Sequence, residues 1–249
     1  MKSKNALIIP DTHIPYHDKR AYELMLKVAR QQPIHEIVIL GDYADFYGIN
    51  SHGQDPAINL RLSDEVEAVK RELRRLRKFF PKSNIVFIQG NHEYRLERYI
   101  QNKAPELFNV LSTYEILGLG DLDIKYIPYG PNQKYKVLGT KLIARHEPIA
   151  GGTHVAHGTV VKAGSSVIFG HVHRIQESQV VMINGDNHRG ITCGWLGDSN
   201  SRVMQYVKNH HQWALGFAIV NGIDKGRFFV DTKHIIDYMV YHNGKIVKG

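Results

Sequence analysis

The sequence predicts an α/β domain built around two packed sheets, and three observations carry that prediction. Between residues 5 and 103, short runs rich in Ile and Val alternate with segments of helical periodicity. From about residue 122, short β-type runs are separated by Gly, Asn and Asp turns. No linker, low-complexity tract or fixed-period repeat divides the chain. At 249 residues and 43% hydrophobic it can bury a sizeable core, so residues 1–249 are expected to form one domain.

The elements follow in order. Residues 5–10 (ALIIP and the residue before it) make the first strand, with Asp11 at its mouth. Residues 19–31 are expected to be helical: Tyr22, Met25, Leu26 and Ala29 recur at i, i+3, i+4 and i+7, and Pro33 stops the helix. Residues 36–40 form the second strand and run into Gly41-Asp42. Residues 43–61 carry the breakers Gly48, Gly53 and Pro56 and are expected to be a loop.

The clearest helix spans residues 63–80. Ser63 is its expected N-cap, and Asp64 and Glu65 sit in the first turn, where the helix dipole favours them. Leu62, Val66, Val69, Leu73, Leu76 and Phe79 form its apolar stripe, and Pro81 ends it. Lys70, Arg71, Arg74, Arg75, Arg77 and Lys78 crowd the remaining face, which is either a solvated surface or a contact for nucleic-acid phosphates. Residues 84–89 form a third strand leading to Gly90-Asn91-His92, and residues 93–103 a further helix. The runs DIKYIPY, YKVLG, KLIAR, SVIFG, VVMI, GFAIV and RFFVD then suggest a second, more antiparallel half.

Composition narrows the function classes. A single cysteine, Cys193, excludes an internal disulfide and a zinc–thiolate site and fits a reducing cytoplasm. Ala6 to Pro10 is too short for a signal-peptide core, and no run approaches the roughly 20 apolar residues of a membrane span. Net charge is +8, which suits either plain solubility or a polyanionic partner such as nucleic acid or nucleotide.

Five polar motifs close apolar runs: Asp11-Thr12-His13, Gly41-Asp42, Gly90-Asn91-His92-Glu93, Arg145-His146 and Gly170-His171-Val172-His173. If the strands share a sheet, these motifs converge on one edge. Asp, His and Asn without Cys suit Mn, Fe or Zn. Two divalent cations roughly 3.5–4 Å apart need several hard or borderline ligands and a bridging group, which a carboxylate with two oxygens supplies well. Asp11 or Asp42 could bridge, Asn91 offers a carbonyl oxygen, and His13, His146, His171 and His173 each offer a nitrogen. In extended backbone, residues two apart lie on one face, so Asp11 with His13, and His171 with His173, could aim at one centre. Each motif alone is commonplace; their joint occurrence in this order behind apolar runs points to two metals.

Taken together, these motifs resemble the calcineurin-like metallophosphoesterase superfamily over residues 11–173, and the loops after Gly41 and Gly90 look like its small phage-encoded members. The resemblance implies a four-layer α/β/β/α sandwich of two mixed sheets flanked by helices. It implies one metal held by Asp11, His13, Asp42 and His173 and a second by Asp42, Asn91, His146 and His171, with Asp42 bridging. Mn²⁺ is the first expectation, with Fe or Zn as alternatives. His92 matches the non-ligand histidine that stabilises the transition state or protonates the leaving oxygen, and Asp45 the carboxylate that orients it. Asp45 would also raise the pKa of that histidine.

The sequence departs from the family in three places. Phe46 and Tyr47 stand where the protein-phosphatase branch has Arg-Gly, so a phosphate-clamping arginine is missing there. Glu147 and Pro148 follow His146 where glycine is usual, which leaves His154 and His157 as rival ligands. Nothing after residue 174 matches a catalytic pattern, although Asn209-His210-His211-Gln212-Trp213 could line a substrate site. The leading expectation is a phosphomonoesterase acting on (deoxy)nucleoside monophosphates. A DNA phosphodiesterase or nuclease of the repair-exonuclease type is the alternative, and a non-catalytic binding module with a degenerate site is third.

Overall fold

Alternate residues of the first strands are buried on opposite sides, and that sets the layering. The computed structural model describes residues 3–51, 55, 57–108, 110–204 and 212–249. Strands β1 (Lys4–Ile9), β2 (Glu36–Ile39) and β3 (Asn84–Ile88) run parallel and adjacent. Leu7, Ile9, Ile37, Ile39, Ile85 and Phe87 share one core with the buried faces of α1 (Lys19–Ala29) and α2 (Leu62–Phe79). Ala6, Ile8, Val38, Leu40, Val86 and Ile88 face the other way and meet Val137, Leu142, Ala144, Ile168 and Ile191 in a second core. Strands covered on both faces read as continuous apolar runs, as these do.

The first sheet has six strands, ordered β11 (Phe228–His234), β10 (Gly216–Gly222), β1, β2, β3 and β4 (Ile124–Ile127). The second is ordered β5 (Tyr135–Lys136), β6 (Ile143–Arg145), β7 (Val167–Phe169), β9 (Asn187–Cys193) and β8 (Ile175–Val181). On its outer side, α5 (Val155–Ala163) places Val155 and Ala156 against Val167 and Phe169. The layers therefore run helix, sheet, sheet, helix, and both sheets are mixed, as the resemblance implies. Shorter pieces complete the fold: α3 (Arg95–Lys103), α4 (Thr113–Ile116) and a hairpin of β12 (Met239–His242) and β13 (Lys245–Lys248).

Two expectations change, and one helix forms that the runs did not suggest. The later runs do not form a separate antiparallel half: β4, β10 and β11 join the first sheet, and β6, β7 and β9 are parallel. Sheet membership is decided by long-range pairing, which run composition does not encode. The segment VAHGTVVKA is helical although Gly158 and four β-branched residues lower its propensity. Packing on the second sheet overrides that preference, because Ala156 and Val160 lie so close to β9 that a Cβ on Gly190 would come within 2.2 Å of the Ala156 carbonyl.

The second change concerns α2, which starts at Leu62, so Ser63 is not the N-cap; the Asp64 carboxylate accepts the Arg61 backbone N–H at 3.1 Å instead. Its basic face is partly committed inside the molecule. Arg75 pairs with Glu23, and Arg77 donates to the carbonyls of Ser83, Leu122 and Asp123.

Glu65, in the first turn of α2, is buried. Its Oε1 accepts from Tyr16 Oη at 3.1 Å and from Gly48 N at 3.3 Å, while Oε2 has no hydrogen-bond partner among the described residues. Burial, and then the Asp45 charge, push its pKa from 4.5 up to about 7. A carboxylate raised in the folded state is ionised first in the unfolded chain, so stability falls as pH climbs from 4.5 to about 7. Over that interval the cost approaches about 3 kcal/mol. Glu65→Gln, which cannot ionise, should lack this loss. Urea unfolding of metal-free protein at pH 4.5 and pH 8 measures it, and parallel profiles for wild type and variant would refute the assignment.

Candidate metal centre

The motifs occupy the C-terminal ends of two sheets rather than one. β1, β2 and β3 deliver Asp11, Asp42 and Asn91, while β6 and β7 deliver His146 and the His171–His173 turn. The sheets pack face to face, so their ends adjoin, and His171 N donates across them to Asp11 Oδ1 at 2.7 Å. Main-chain bonds lock the loops together: Thr12 N and His13 N both donate to the Asp42 carbonyl, and Leu196 N to that of Asp11.

Three side-chain clusters result among the described residues: two share Asp42, and a third, of His13, Asp45 and His92, adjoins them. Asp11, His13, Asp42 and His173 have donor atoms within 4.8 Å of one another, as do Asp42, His146 and His171. Asn91 Oδ1 joins the second cluster, 2.9 Å from His146 Nε2 and 2.9 Å from His171 Nδ1. All seven residues singled out as ligands are thus brought together. The route differs from the extended one expected: His13, His171 and His173 have φ of 56°, 69° and 57°, so left-handed turns aim them, and His171 and His173 face different clusters. Asp42 itself has φ 47°. Such conformations persist only where the surroundings over-determine them, and they concentrate at functional sites.

The glycines of the motifs are explained by close approach. A Cβ on Gly90 would lie 2.2 Å from Asp42 Oδ1, and one on Gly170 would lie 2.5 Å from Asp11 Oδ2. Glu93 is buried and binds main chain: its carboxylate accepts from Asp42 N, Ala44 N and Gly90 N at 3.0, 2.8 and 2.8 Å. It joins the loops that carry Asp42 and Asn91, a role its place in the motif did not reveal.

The donor set fits divalent cations. His146 Nδ1–H donates to the Leu40 carbonyl at 2.8 Å, which leaves its Nε2 lone pair facing Asn91 Oδ1 and, at 3.3 Å, Asp42 Oδ2. Acceptors so arranged call for positive charge between them. Burial works against a charged His146 ring, yet Asp42, then Asp11 and Glu93, hold its pKa at about 10. In the other cluster His13 Nδ1–H donates to Asp45 Oδ2 at 2.9 Å, and His13 Nε2 faces His173 Nε2 at 3.2 Å. Asp11 Oδ2 and His173 Nδ1 are buried without a hydrogen-bond partner. Burial presses the His173 pKa down to about 4 and so keeps its ring neutral.

His92 and Asp45 lie against both clusters. His92 N donates to Asp42 Oδ1 at 2.9 Å, and His92 Nδ1 lies 3.1 Å from the Asp45 carbonyl and 3.3 Å from its Oδ2. Burial opposes charge on His92 and Arg95 adds to that, but Asp42 and Asp45 prevail and its pKa lies above the ordinary histidine value. Asp45 was expected to orient His92; its Oδ2 is closer still to His13, so one carboxylate positions both rings.

Two further groups went unnoticed in the sequence. Arg95 Nη1 donates to the Asp45 carbonyl at 3.0 Å and Nη2 lies 3.1 Å from His92 Nε2, which puts a guanidinium beside the centre although none follows Asp45. Trp195 stacks on the His173 ring with centroids 4.7 Å apart, and Trp213 meets the same ring edge-on at 4.4 Å. The helical register three residues past His92 could have flagged Arg95; nothing local flagged Trp195. Of the 209–213 segment, Trp213 touches a site histidine, whereas residues 209–211 lie outside the described residues.

The rivals to His146 fall elsewhere. His154 precedes α5 and His157 lies on it, where His157 Nδ1 is 3.1 Å from Ser178 Oγ; both are exposed, because α5 covers the outer face of the second sheet. The Glu147 that replaces the usual glycine accepts from Tyr129 Oη. Cys193 is buried and its thiol pKa is driven up, so it offers no nucleophile.

A model of the calcineurin-like phosphoesterase family matches residues 5–175. The chain belongs to that family. Members use divalent metals, and the two clusters here are groups that could hold them. This calcineurin-like phosphoesterase is 26% identical over 245 residues to the Gene 54 protein of Mycobacterium phage L5, covering 94% of this chain and 91% of that one. It is 27% identical over 245 residues to the Gene 54 protein of Mycobacterium phage D29, with the same coverage. Among solved structures, Vacuolar Protein Sorting 29 from Cryptosporidium parvum aligns with a TM-score of 0.45 at 12% identity, over 98% of this chain and 95% of that one. The phosphoesterase YfcE from E. coli aligns with a TM-score of 0.39 at 11% identity, over 92% and 98%. No helix among the described residues is long and apolar enough to cross a membrane.

Proposed function

We propose that this chain, acting as one domain in a reducing cytoplasm, hydrolyses phosphomonoesters of nucleotides at a centre of two divalent cations. The observation that carries the reading is the pair of clusters sharing Asp42, with His92 at their side. Asp11, His13, Asp42 and His173 would hold one cation, and Asp42, Asn91, His146 and His171 the other. Mn²⁺ is the first choice, because a set of carboxylate, amide and imidazole donors with no thiolate suits it, with Fe or Zn next. When bound, two such cations supply a hydroxide nucleophile near neutral pH and offset charge developing on phosphate oxygens.

The chain's own residues do the rest. Asp45 keeps the His13 and His92 rings in place. The Asp42 and Asp45 carboxylates favour the protonated His92 ring, which donates to the departing oxygen. Arg95 offers a donor fork suited to a phosphate and stands in for the arginine absent after Asp45.

A monoester is preferred over DNA because the basic face of α2 no longer favours a nuclease. Arg75 and Arg77 are engaged internally, and Arg77 lies about 18 Å along the helix from Glu65, at the end remote from the centre. The test is a panel with Mn²⁺: nucleoside monophosphates, a phosphodiester model compound, and single- and double-stranded DNA, each with and without a chelator. Expected is inorganic phosphate from mononucleotides, abolished by the chelator and restored by Mn²⁺, with DNA intact. Acid-soluble nucleotides from DNA would establish the diester reading instead. No turnover with metal bound would favour a binding module.

A further inference from the structure

One face of α3 is polar from end to end. Arg95, Arg98, Tyr99, Asn102 and Lys103 recur at i, i+3, i+4, i+7 and i+8, so they form a single stripe. Opposite them run residues 48–51, and together they line a cavity of about 230 Å³. The lining holds three cations and no carboxylate, and among the described residues Arg98 and Lys103 have no acidic partner within 4.0 Å. The stripe extends about 12 Å from Arg95 to Lys103. Its near end abuts the centre, since Arg95 contacts both His92 and Asp45. Tyr99 lies midway, 46% exposed, with a ring face available to a base.

Because in-line attack drives the leaving group away from the nucleophile, and His92 protonates that leaving group, the cavity beside His92 lies on the leaving-group side. Resting on the phosphomonoesterase reading above, we propose that this cavity is a leaving-group subsite for a second phosphate. The preferred substrate is then a nucleotide that carries another phosphate on its sugar, of which a nucleoside 3′,5′-bisphosphate is the smallest. Water adds to the 5′ phosphorus as the P–O5′ bond breaks. O5′ leaves with the bonding pair and takes a proton from His92, while the water's proton passes to solvent. The products are inorganic phosphate and a nucleoside 3′-phosphate, whose remaining phosphate is held by Arg98 and Lys103.

The experiment compares thymidine 5′-monophosphate with thymidine 3′,5′-bisphosphate, using wild type, Arg98→Ala/Lys103→Ala and the charge-preserving Arg98→Lys/Lys103→Arg. Wild type should favour the bisphosphate in kcat/KM by about tenfold, as two partly exposed charge pairs allow. The alanine pair should lose that preference with the monophosphate rate unchanged, and the charge-preserving pair should keep it. Calorimetric titration of metal-free protein with both nucleotides supplies a readout independent of turnover, and should show the same preference and the same loss. Equal handling of the two nucleotides by wild type, or a loss in the alanine pair that affects both alike, overturns the subsite. If no phosphoester is turned over, the catalytic reading fails, and the titration alone decides: a preference that disappears with the two cations supports the subsite, and no preference overturns it.

Discussion

Asp42→Asn should strip both cations together and lower kcat by about 10³ or more. Asp42 is the one side chain common to both clusters, is 2% exposed, and has its Oδ1 held by the His92 backbone N–H. An amide in its place keeps one oxygen but turns the other position into a donor, which meets His146 Nε2 at the 3.3 Å now spanned to Oδ2. The metal-free variant should still fold, though less stably than wild type, because the buried Asp42–His146 ion pair is lost. What it should lack is the rise in Tm that Mn²⁺ gives a protein binding the ion only when folded. Elemental analysis and thermal melts with and without Mn²⁺ measure this. One ion retained at full occupancy would show that Asp42 is not the bridge.

His92→Ala should separate chemistry from metal binding. Turnover should fall about 10²–10⁴-fold, the usual worth of a positioned acid. Both ions should stay, because the backbone N–H that anchors Asp42 survives the substitution and neither proposed ligand set includes the ring. The loss should be smallest for p-nitrophenyl phosphate, whose leaving group needs no proton, and largest for an alkyl ester such as a nucleoside 5′-monophosphate. A uniform loss across leaving groups would assign His92 to transition-state charge stabilisation instead. Loss of a metal would make it a ligand.

The candidate site was legible because its residues fall in short polar motifs that close apolar runs. Asp11, His13, Asp42, Asn91, His146, His171 and His173 were all nameable in advance, as were His92 and Asp45. Several contacts were not. Trp195 reaches His173 from after β9, and Glu93 acts on the main chain of a loop some fifty residues earlier. Arg95 supplies a guanidinium where local sequence offered Phe46 and Tyr47. His146 could not be separated from His154 and His157 by sequence, because its neighbours break the usual pattern. It is separated by the hydrogen bond that turns its Nδ1 to Leu40 and its Nε2 inward.

Taken by itself, the sequence determined the strand–helix alternation of the first half, the chemical type of the donors, and the absence of a thiolate site. These are local properties, set by periodicity and by which atoms a side chain carries. Tertiary structure alone decided that two sheets, not one, bring the motifs together, and that β4, β10 and β11 belong with β1. It also decided that α5 forms against its own propensities, and that the left-handed turns at His13, His171 and His173 divide the candidate ligands between two clusters. The physical reason is that strand pairing, sheet packing and backbone strain are held by contacts between residues far apart in the chain. Local composition constrains such contacts only weakly.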